Sequence, residues 1–251
     1  MKRQVIAEFK KVKDSLLLYM SVIMLIVWFA YVYIDFKNMQ YTIEGYYVSS
    51  VLLSLTLFGS IIPIITGSLL MAKEREYNTL IYNAMVCPRS RIVMLKLLCI
   101  VFISLLEVFF TVAWAFALSI VSGDKDFLPN NFFQQFVIVF FVLCFWGIVA
   151  FALECIFNYT VVSILLPILL IFFENIFYTY CSEKIIHLLP LYNIRSVLYE
   201  LFNNLKNDSM ISVPEYRYHY GIGNYMYIII FLLCTIFIGK VVVGKSNKLV
   251  R

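Results

Sequence analysis

The most concentrated group of charged residues in this sequence lies between two long apolar runs. Residues 73–76 read Lys-Glu-Arg-Glu and residues 88–91 read Pro-Arg-Ser-Arg, in a chain that elsewhere avoids charge. The stretch between them has an apolar side that includes Leu80 and Met85. A short helix with both charge signs and an apolar side can form a protein interface with a polar rim. These residues therefore indicate a docking surface and not a catalytic centre.

Three carboxylates, Glu107, Glu154 and Glu174, lie inside or at the ends of apolar runs. An ionisable group at the middle of a bilayer costs roughly 2.5 to 3.5 kcal/mol on insertion scales, so it must face protein or water. Two interpretations stay open at this point. The carboxylates belong to a substrate or proton route, or neighbouring Ser, Thr and Tyr side chains hold them in place by hydrogen bonds.

Signatures of catalysis, phosphate binding and metal binding are missing from the sequence. It contains no G-x-S-x-G, no H-E-x-x-H and no G-x-x-x-x-G-K-[ST] pattern. Its two histidines are far apart, and its six cysteines form no C-x-x-C pair. We therefore expect a chain that is not an enzyme and binds no cofactor or metal, and we reject an intramembrane hydrolase.

The composition is that of an integral membrane protein. Of 251 residues, 63% are hydrophobic and 14% are charged, and the mean hydropathy is +0.89, which leaves too little polar surface for a soluble globule. Unbroken apolar runs of about 20 residues favour helices over barrel strands. The predicted fold is all-α, one transmembrane domain over 1–251 with six spans. These spans cover about 16–34, 46–72, 92–121, 132–157, 160–180 and 225–243.

Basic residues beside the spans predict the orientation of the chain. Residues 1–15 form a basic amphipathic helix on the membrane surface, and the apolar run after them is too long for a cleaved signal peptide. Lys and Arg concentrate at both termini and in residues 73–91, which places these parts in the cytosol. The net charge of +5 is explained by this topology and does not indicate nucleic acid. We expect a multi-pass protein of the plasma membrane with cytoplasmic termini.

Small and polar residues form a stripe at helical spacing on the second and fifth spans. Pro63 is expected to kink the second span. The stripes either line a transport pathway or allow close helix packing. The candidate pathway residues, with two of the buried carboxylates, are Ser49, Thr56, Ser60, Pro63, Ser163, Pro167, Glu107 and Glu174.

The long polar segment 181–224 is predicted to lie outside the cell. It contains an amphipathic helical repeat from Ile194 to Leu205, with Asn193 as the expected N-cap, and we expect this helix to lie parallel to the membrane. Several tyrosines follow it. They are typical of an interfacial aromatic belt, and a lid over a substrate is the alternative.

The charged insert also carries a family resemblance. Lys-Glu-Arg-Glu at 73–76, Thr-Leu at 79–80, Pro-Arg-Ser-Arg at 88–91 and Lys96 resemble the E-R-E-x-G-T-L … P-x-x-R … K pattern of ABC-2 type permeases, the membrane subunits of type V ABC exporters. The amphipathic N-terminus, six spans and a post-fifth-span helix from Pro190 extend the resemblance over the chain. Within the class, the sequence is similar to small six-span bacterial permeases that export peptides or give bacteriocin immunity. Asn78 replaces the usual glycine, and Asn tolerates a left-handed backbone better than most residues.

The resemblance implies a role for the insert. Residues 73–91 become a cytosolic coupling helix that docks into a separate ATPase, and two ATPase subunits, which bind ATP and Mg, serve a pair of permeases, identical or homologous. The implied cargo is amphipathic or hydrophobic, with an antimicrobial or cytolytic peptide as the best candidate, exported by alternating access. The implied coupling residues are Glu74, Arg75, Glu76, Thr79, Leu80, Pro88, Arg89 and Arg91.

Two other functions remain open on the sequence alone. A secondary transporter would use the buried carboxylates as a proton route and would need no ATPase. A membrane protein that sequesters peptides without transporting them would also fit the composition. A neighbouring reading frame that encodes a phosphate-loop ATPase would favour the exporter over both.

Overall fold

The computed structural model describes residues 15–39, 45–76, 89–122, 128–173, 180, 182–202 and 221–245. This part of the chain is helical and contains no strand, as the unbroken apolar runs predict. One wide π-helical turn, Leu55–Gly59, joins the second and third helices. The helices are α1 Leu16–Met39, α2 Tyr46–Ser54, α3 Ile61–Glu76, α4 Arg89–Ser122, α5 Phe132–Phe157, α6 Thr160–Phe172, α7 Glu183–Ile186, α8 Pro190–Leu201 and α9 Ile222–Lys245.

Four stretches of the described helices are long and apolar enough to cross a membrane. They are Leu16–Ile34, Tyr46–Glu76, Arg91–Leu118 and Phe132–Phe157, and each agrees with a predicted span to within a few residues. Thr160–Phe172 and Ile222–Ile238 are shorter apolar helices at the places of the fifth and sixth spans. The predicted all-α fold is thereby confirmed for the described residues, with four helices that could cross a membrane. Six complete crossings stay a prediction, because 174–179 at the end of the fifth lie outside the described residues, as do 1–14, 77–88 and 203–220.

Helix α5 is the centre around which the other helices pack. It contacts α2, α3, α4, α6, α8 and α9, and its most extensive contact is with α3. Its sequence is apolar on every side, and a helix of that kind is stable only when surrounded by protein or lipid. Its inner residues Val139, Leu143 and Phe145 are almost completely buried. The core of the protein therefore lies along α5, while α1 exposes most of its apolar surface at the edge.

Two glycines bring α3 and α5 into backbone contact. A Cβ atom added to Gly67 would lie 2.1 Å from the carbonyl oxygen of Gly147, and one added to Gly147 would lie 2.5 Å from Cγ2 of Ile100. Small residues are favoured at such crossings in membranes because they let backbones approach closely. The small-residue stripe on the second span thus includes a packing position at Gly67.

The second span is irregular just before Pro63. Within the wide turn the amide of Ser60 donates to the carbonyl of Leu55, 3.2 Å away, so that the turn holds one residue more than an α-helical turn. A proline ring clashes with the carbonyl four residues before it and offers that carbonyl no N–H. The expected kink at Pro63 therefore takes the form of a widened turn that ends at Gly59, the residue whose carbonyl faces this clash.

Helices α5 and α6 are joined by a tight turn. Asn158 has a left-handed conformation, φ 56°. Its backbone N–H donates to the backbone carbonyl of Glu154 at 3.1 Å. Asparagine adopts this region more readily than most residues, and it ends helices in this way. The turn brings the first residue of α6, Thr160, back beside the last turn of α5.

Helix α8 lies where an amphipathic helix is expected between the fifth and sixth spans, and it begins earlier than predicted. Asn193 is not its N-cap. The helix starts at Pro190, a residue that is suited to the first helical position because its missing N–H would have no partner there. Asn193 lies one turn later, and its amide group donates to the carbonyls of His187 and Leu189 at 3.1 and 3.0 Å.

A chain of hydrogen bonds fixes the far end of α8 to two spans. The side-chain amide groups of Asn131 and Gln135 both donate to the backbone carbonyl of Leu201, at 2.5 and 3.1 Å. The hydroxyl of Ser49 donates to the Gln135 side-chain oxygen at 3.0 Å. The bond between Ser49 and Gln135 is buried and the two bonds to Leu201 are partly buried. Together they join α2, α5 and α8 at the end of the helices opposite to Lys73–Glu76.

We expect Gln135→Leu to lower the free energy of unfolding by about 1 to 3 kcal/mol, because Ser49 then loses its buried acceptor. The measurement is the unfolding of the purified protein in detergent micelles. Gln134→Leu is the matched control, since Gln134 is the preceding residue and its side chain is exposed. Equal destabilisation by the two substitutions would contradict the role of the hydrogen-bond chain.

Candidate functional site

The candidate site lies at the end of the helices where α3 leaves the bundle and α4 returns to it. Lys73–Glu76 form the last turn of α3. The segment 77–88, which joins α3 to α4, lies outside the described residues, so the site is built here from the helix ends that carry this segment. Charged side chains from α3, α4 and α5 meet at this end.

Glu74 and Lys96 form a buried ion pair between α3 and α4. The ammonium nitrogen of Lys96 lies 3.2 Å from Oε1 of Glu74 and also donates to the carbonyl of Leu70 at 2.6 Å. Both charged side chains are at most 1% exposed. Desolvated charges persist only when paired and hydrogen-bonded, and the second bond to Leu70 meets part of that requirement. The pair therefore fastens the two helices that flank the segment 77–88.

Arg75 extends this contact to the next two helices. Its guanidinium group forms an ion pair with the carboxylate of Glu154 near the end of α5. The hydroxyl of Thr160, the first residue of α6, donates to the same carboxylate at 3.2 Å. Glu154 is fully buried and Arg75 is about one third exposed. The two acids and two bases, Glu74, Arg75, Lys96 and Glu154, balance in charge, and we call them the buried charge network.

The other two charged residues of α3 pair with each other and not with another helix. Lys73 and Glu76 form an exposed pair, with 2.9 Å between nitrogen and oxygen, and Glu76 keeps 58% of its side chain exposed. An exposed pair of this kind contributes little to stability. The Lys-Glu-Arg-Glu run is thus divided by its pairing. Residues 74 and 75 pair with other helices, whereas residues 73 and 76 pair with each other, and Glu76 is exposed.

The remaining predicted coupling residues are only partly visible. Arg91 is exposed on the first turns of α4, and Arg89 begins that helix. Thr79, Leu80 and Pro88 lie outside the described residues. Their docking role stays a prediction, together with that of Glu76 and Arg91.

Most of the predicted pathway residues on the second span lie inside the packed bundle. Ser49, Thr56 and Ser60 are buried. The hydroxyls of Thr56 and Ser60 donate to backbone carbonyls of their own span, at 2.7 and 2.6 Å. Pro63 is buried beside Gly147. These contacts are those of a packing surface, and a pathway role for the stripe stays a prediction.

The fifth-span residues show the same kind of contact. The Ser163 hydroxyl donates to the carbonyl of Tyr159 at 3.1 Å, and Pro167 is buried within α6. Helices α3 and α6 pack against each other, so the two stripes belong to neighbouring helices. Glu174 lies outside the described residues. Glu107 is buried on α4, away from the charge network.

Sequence reasoning missed the pairing of Glu74 with Lys96 and of Arg75 with Glu154. A signal for the first pair exists. Glu74 and Lys96 lie on the two apolar helices that flank the insert. Opposite charges on neighbouring antiparallel helices each need a partner there. Glu154 carried a weaker signal, because an ionisable residue in a span needs some partner.

The arrangement described so far is that of a multi-pass, all-helical membrane protein with a charged contact network at one end of its helices. Comparison with family models gives its class. Residues 5–178 match the model described as ABC-2 family transporter protein, and the chain belongs to this family of ABC permease components. Comparison with curated proteins and with solved structures gave no match.

Membership of this family has two general consequences. The chain is a membrane component of an ABC transporter, and ABC ATPase subunits are the partners of such components. The match covers the N-terminal segment, the first five predicted spans and the charged insert. These are the parts of the chain that carry the sequence pattern of the insert and the buried charge network.

Proposed function

We propose that this chain is the permease subunit of an ATP-driven exporter and that the buried charge network transmits movement from the ATPase to the spans. The family match supports the first part. The observation that carries the second is the pairing of consecutive residues, Glu74 and Arg75, with two different helices. A movement of the segment 77–88 acts on α3 and α4 at once, because Glu74 and Lys96 hold them together.

The same network extends the movement beyond the helical hairpin. Arg75 joins α3 to the end of α5, and Thr160 joins that carboxylate to the start of α6. Four helices therefore respond to a force applied where α3 ends. In alternating access, closure of the ATPase pair would be converted in this way into movement of the second and fifth spans.

The proposed complex contains two ATPase subunits and a second permease subunit, identical or homologous. ATP and Mg are bound by the ATPases, and this chain binds no cofactor. The proposed cargo is an amphipathic or hydrophobic molecule, with an antimicrobial or cytolytic peptide as the favoured candidate for export or self-immunity. Apolar faces on α4, α6 and α9 that include Phe109, Leu165 and Leu233 are exposed, and they suit contact with lipid or such a cargo.

Docking to the ATPase is tested at Glu76, which is exposed and outside the buried network. We expect Glu76→Arg to weaken co-purification with the ATPase about tenfold, or about 1.4 kcal/mol, because a reversed charge meets the partner's complementary groups. The unfolding temperature of the isolated permease should not change. Association is measured by pull-down of the ABC ATPase subunit of the transporter.

Glu200→Arg is the matched control for this experiment. Glu200 is an exposed glutamate on α8, at the opposite end of the bundle. If both reversals leave ATPase binding at the wild-type level, Glu76 has no part in docking. If Glu200→Arg weakens binding as much as Glu76→Arg, the docking surface has been assigned to the wrong end.

The alternative of a proton-coupled secondary transporter makes a different prediction. Its transport would follow a proton gradient and continue without any ATPase, whereas the proposed exporter stops when the catalytic base of its ATPase is removed. Both measurements use the same proteoliposomes with a fluorescent amphipathic peptide as probe. Family membership favours the ATP-driven exporter.

A further inference from the structure

Glu107 is a buried carboxyl group that the proposed coupling mechanism does not use. It lies on α4 and is 8% exposed, and neither carboxyl oxygen has a hydrogen-bond partner among the described residues. The nearby hydroxyl of Thr111 donates to the Glu107 backbone carbonyl at 2.8 Å and not to the carboxyl group. Eleven residues separate Glu107 from Lys96, about 16 Å along the helix. The group therefore lies deep in the span.

The wide turn of the second span faces this carboxyl group. A Cβ atom added to Gly59 would lie 2.8 Å from Oε1 of Glu107, so the carboxyl group rests directly against the glycine. In a regular helix the carbonyl of residue 59 would accept the N–H of residue 63. That residue is proline and has no N–H. A carboxyl group without a donor thus lies against a residue whose carbonyl lacks its usual helical donor.

No described cation lies near enough to compensate a charge on Glu107. The helices packed against α4 are α2, α3, α5 and α9. Their described charged side chains, those of residues 73–76 and Glu154, lie with Lys96 at the start of α4. Helix α9 also carries Lys240 and Lys245 near its C-terminal end, and these two side chains lie outside the described part of the structure. The other described ionisable side chains on these helices belong to tyrosine and cysteine. They are Tyr46, Tyr47, Cys144, Cys155, Tyr225, Tyr227 and Cys234.

We propose that Glu107 is a proton-binding site in the interior of the membrane domain, occupied by one proton when the helices are packed as described. An ionised carboxylate without a partner costs several kcal/mol in such a place, whereas a neutral carboxyl group carries no charge and gains one O–H donor. The proton comes from water and returns to it when the contact between the second and third spans opens.

This inference goes beyond the exporter function and does not depend on it. The proposed proton site is the contact between Glu107 on α4 and the wide turn. This contact lies away from the buried charge network. Binding of the proton stabilises the packed arrangement of the two spans, because the ionised form requires water or a cation beside it.

Infrared spectroscopy of the purified full-length chain in micelles at neutral pH tests the proposal. We expect a carbonyl-stretch band of a protonated carboxyl group that shifts when glutamate is labelled with ¹³C. The band should be lost in Glu107→Gln and kept in Glu154→Gln, because Glu154 forms an ion pair with Arg75. Absence of the band from the wild-type protein, or its persistence in Glu107→Gln, would overturn the proposal.

Thermal unfolding gives a second, independent readout. Glutamine has the shape of a neutral glutamic acid, so Glu107→Gln should unfold within a few degrees of the wild-type protein at neutral pH. An ionised Glu107 paired with an unseen cation would instead leave that cation unpaired in the variant and lower the unfolding temperature strongly. ATPase binding and hydrolysis do not enter either measurement, so the exporter function can fail while this site stands, and the reverse.

Discussion

Replacement of Lys96 by methionine is expected to lower the free energy of unfolding by about 3 to 5 kcal/mol, because Glu74 is left as a buried charge without its partner. Methionine keeps the length of the aliphatic chain, so the loss of packing is small. Unfolding is followed in detergent micelles with increasing denaturant. The same substitution at Lys73, which forms an exposed pair with Glu76, should change the free energy by less than about 1 kcal/mol.

The double variant Lys96→Met with Glu74→Leu tests whether the two charged side chains stabilise the protein as a pair. Removal of both charges leaves apolar side chains of similar size, and replacements of this kind are often neutral for stability. We therefore expect the double variant to recover most of the stability lost in the single one. A double variant as unstable as Lys96→Met alone would show that the two side chains do not act as a pair.

Addition of one methyl group at Gly67 is the second substitution with a large expected effect. In Gly67→Ala the new Cβ meets the Gly147 carbonyl oxygen at 2.1 Å, and α3 and α5 must move apart. Overpacking typically costs about 1 to 3 kcal/mol, and occasionally more. We expect the upper part of that range or beyond, since a backbone oxygen cannot move aside as a side chain can. The free energy of unfolding in micelles is the measurement.

The chain provides graded controls for this prediction. An added Cβ at Gly147 meets mainly the side chain of Ile100, which can adjust, so Gly147→Ala should cost less. At Gly223 on α9 nothing lies within 4 Å of the added atom. Alanine is the better helix former by about 1 kcal/mol, and Gly223→Ala should therefore be neutral or stabilising. A different order of the three effects would contradict the packing described for α3 and α5.

The sequence predicted the spans well because apolar length is a local property. Four of them agree with the structure, and the fourth agrees in both its limits, Phe132 and Phe157. The start of α8 was predicted less well. Asn193 has the chemistry of an N-cap, but Pro190 fixes a helical backbone conformation three residues earlier. The competing signal was in the sequence, and the proline decided the boundary.

The charged insert shows what a local pattern cannot predict. Consecutive charged residues at a helix end were all interpreted as a docking surface, and the structure directs Glu74 and Arg75 into the bundle. Neighbours in a helix point about 100° apart, so four consecutive residues cannot share one face. Which of them faces inward depends on where Lys96 and Glu154 lie, and that is set by the packing of other helices.

The division of the insert also changes how a charge reversal there is to be understood. A reversal at Glu74 places two positive charges together in the interior, so loss of the complex would report misfolding and not lost docking. The same loss after reversal of Glu76 reports on the surface, because that side chain is exposed. Only the outward residues test contact with the ATPase.

The wide turn Leu55–Gly59 divides the second span into two helices of different rotational phase. On a continuous α-helix Ser49 and Ser60, eleven residues apart, would point about 20° from each other. One extra residue in the turn rotates α3 about the helix axis by roughly 100° relative to α2. The side chains of Ser49 and Ser60 therefore point about 80° apart. The second span therefore has no single face that runs along its whole length. Its two helices, α2 and α3, pack against the bundle with differently oriented faces.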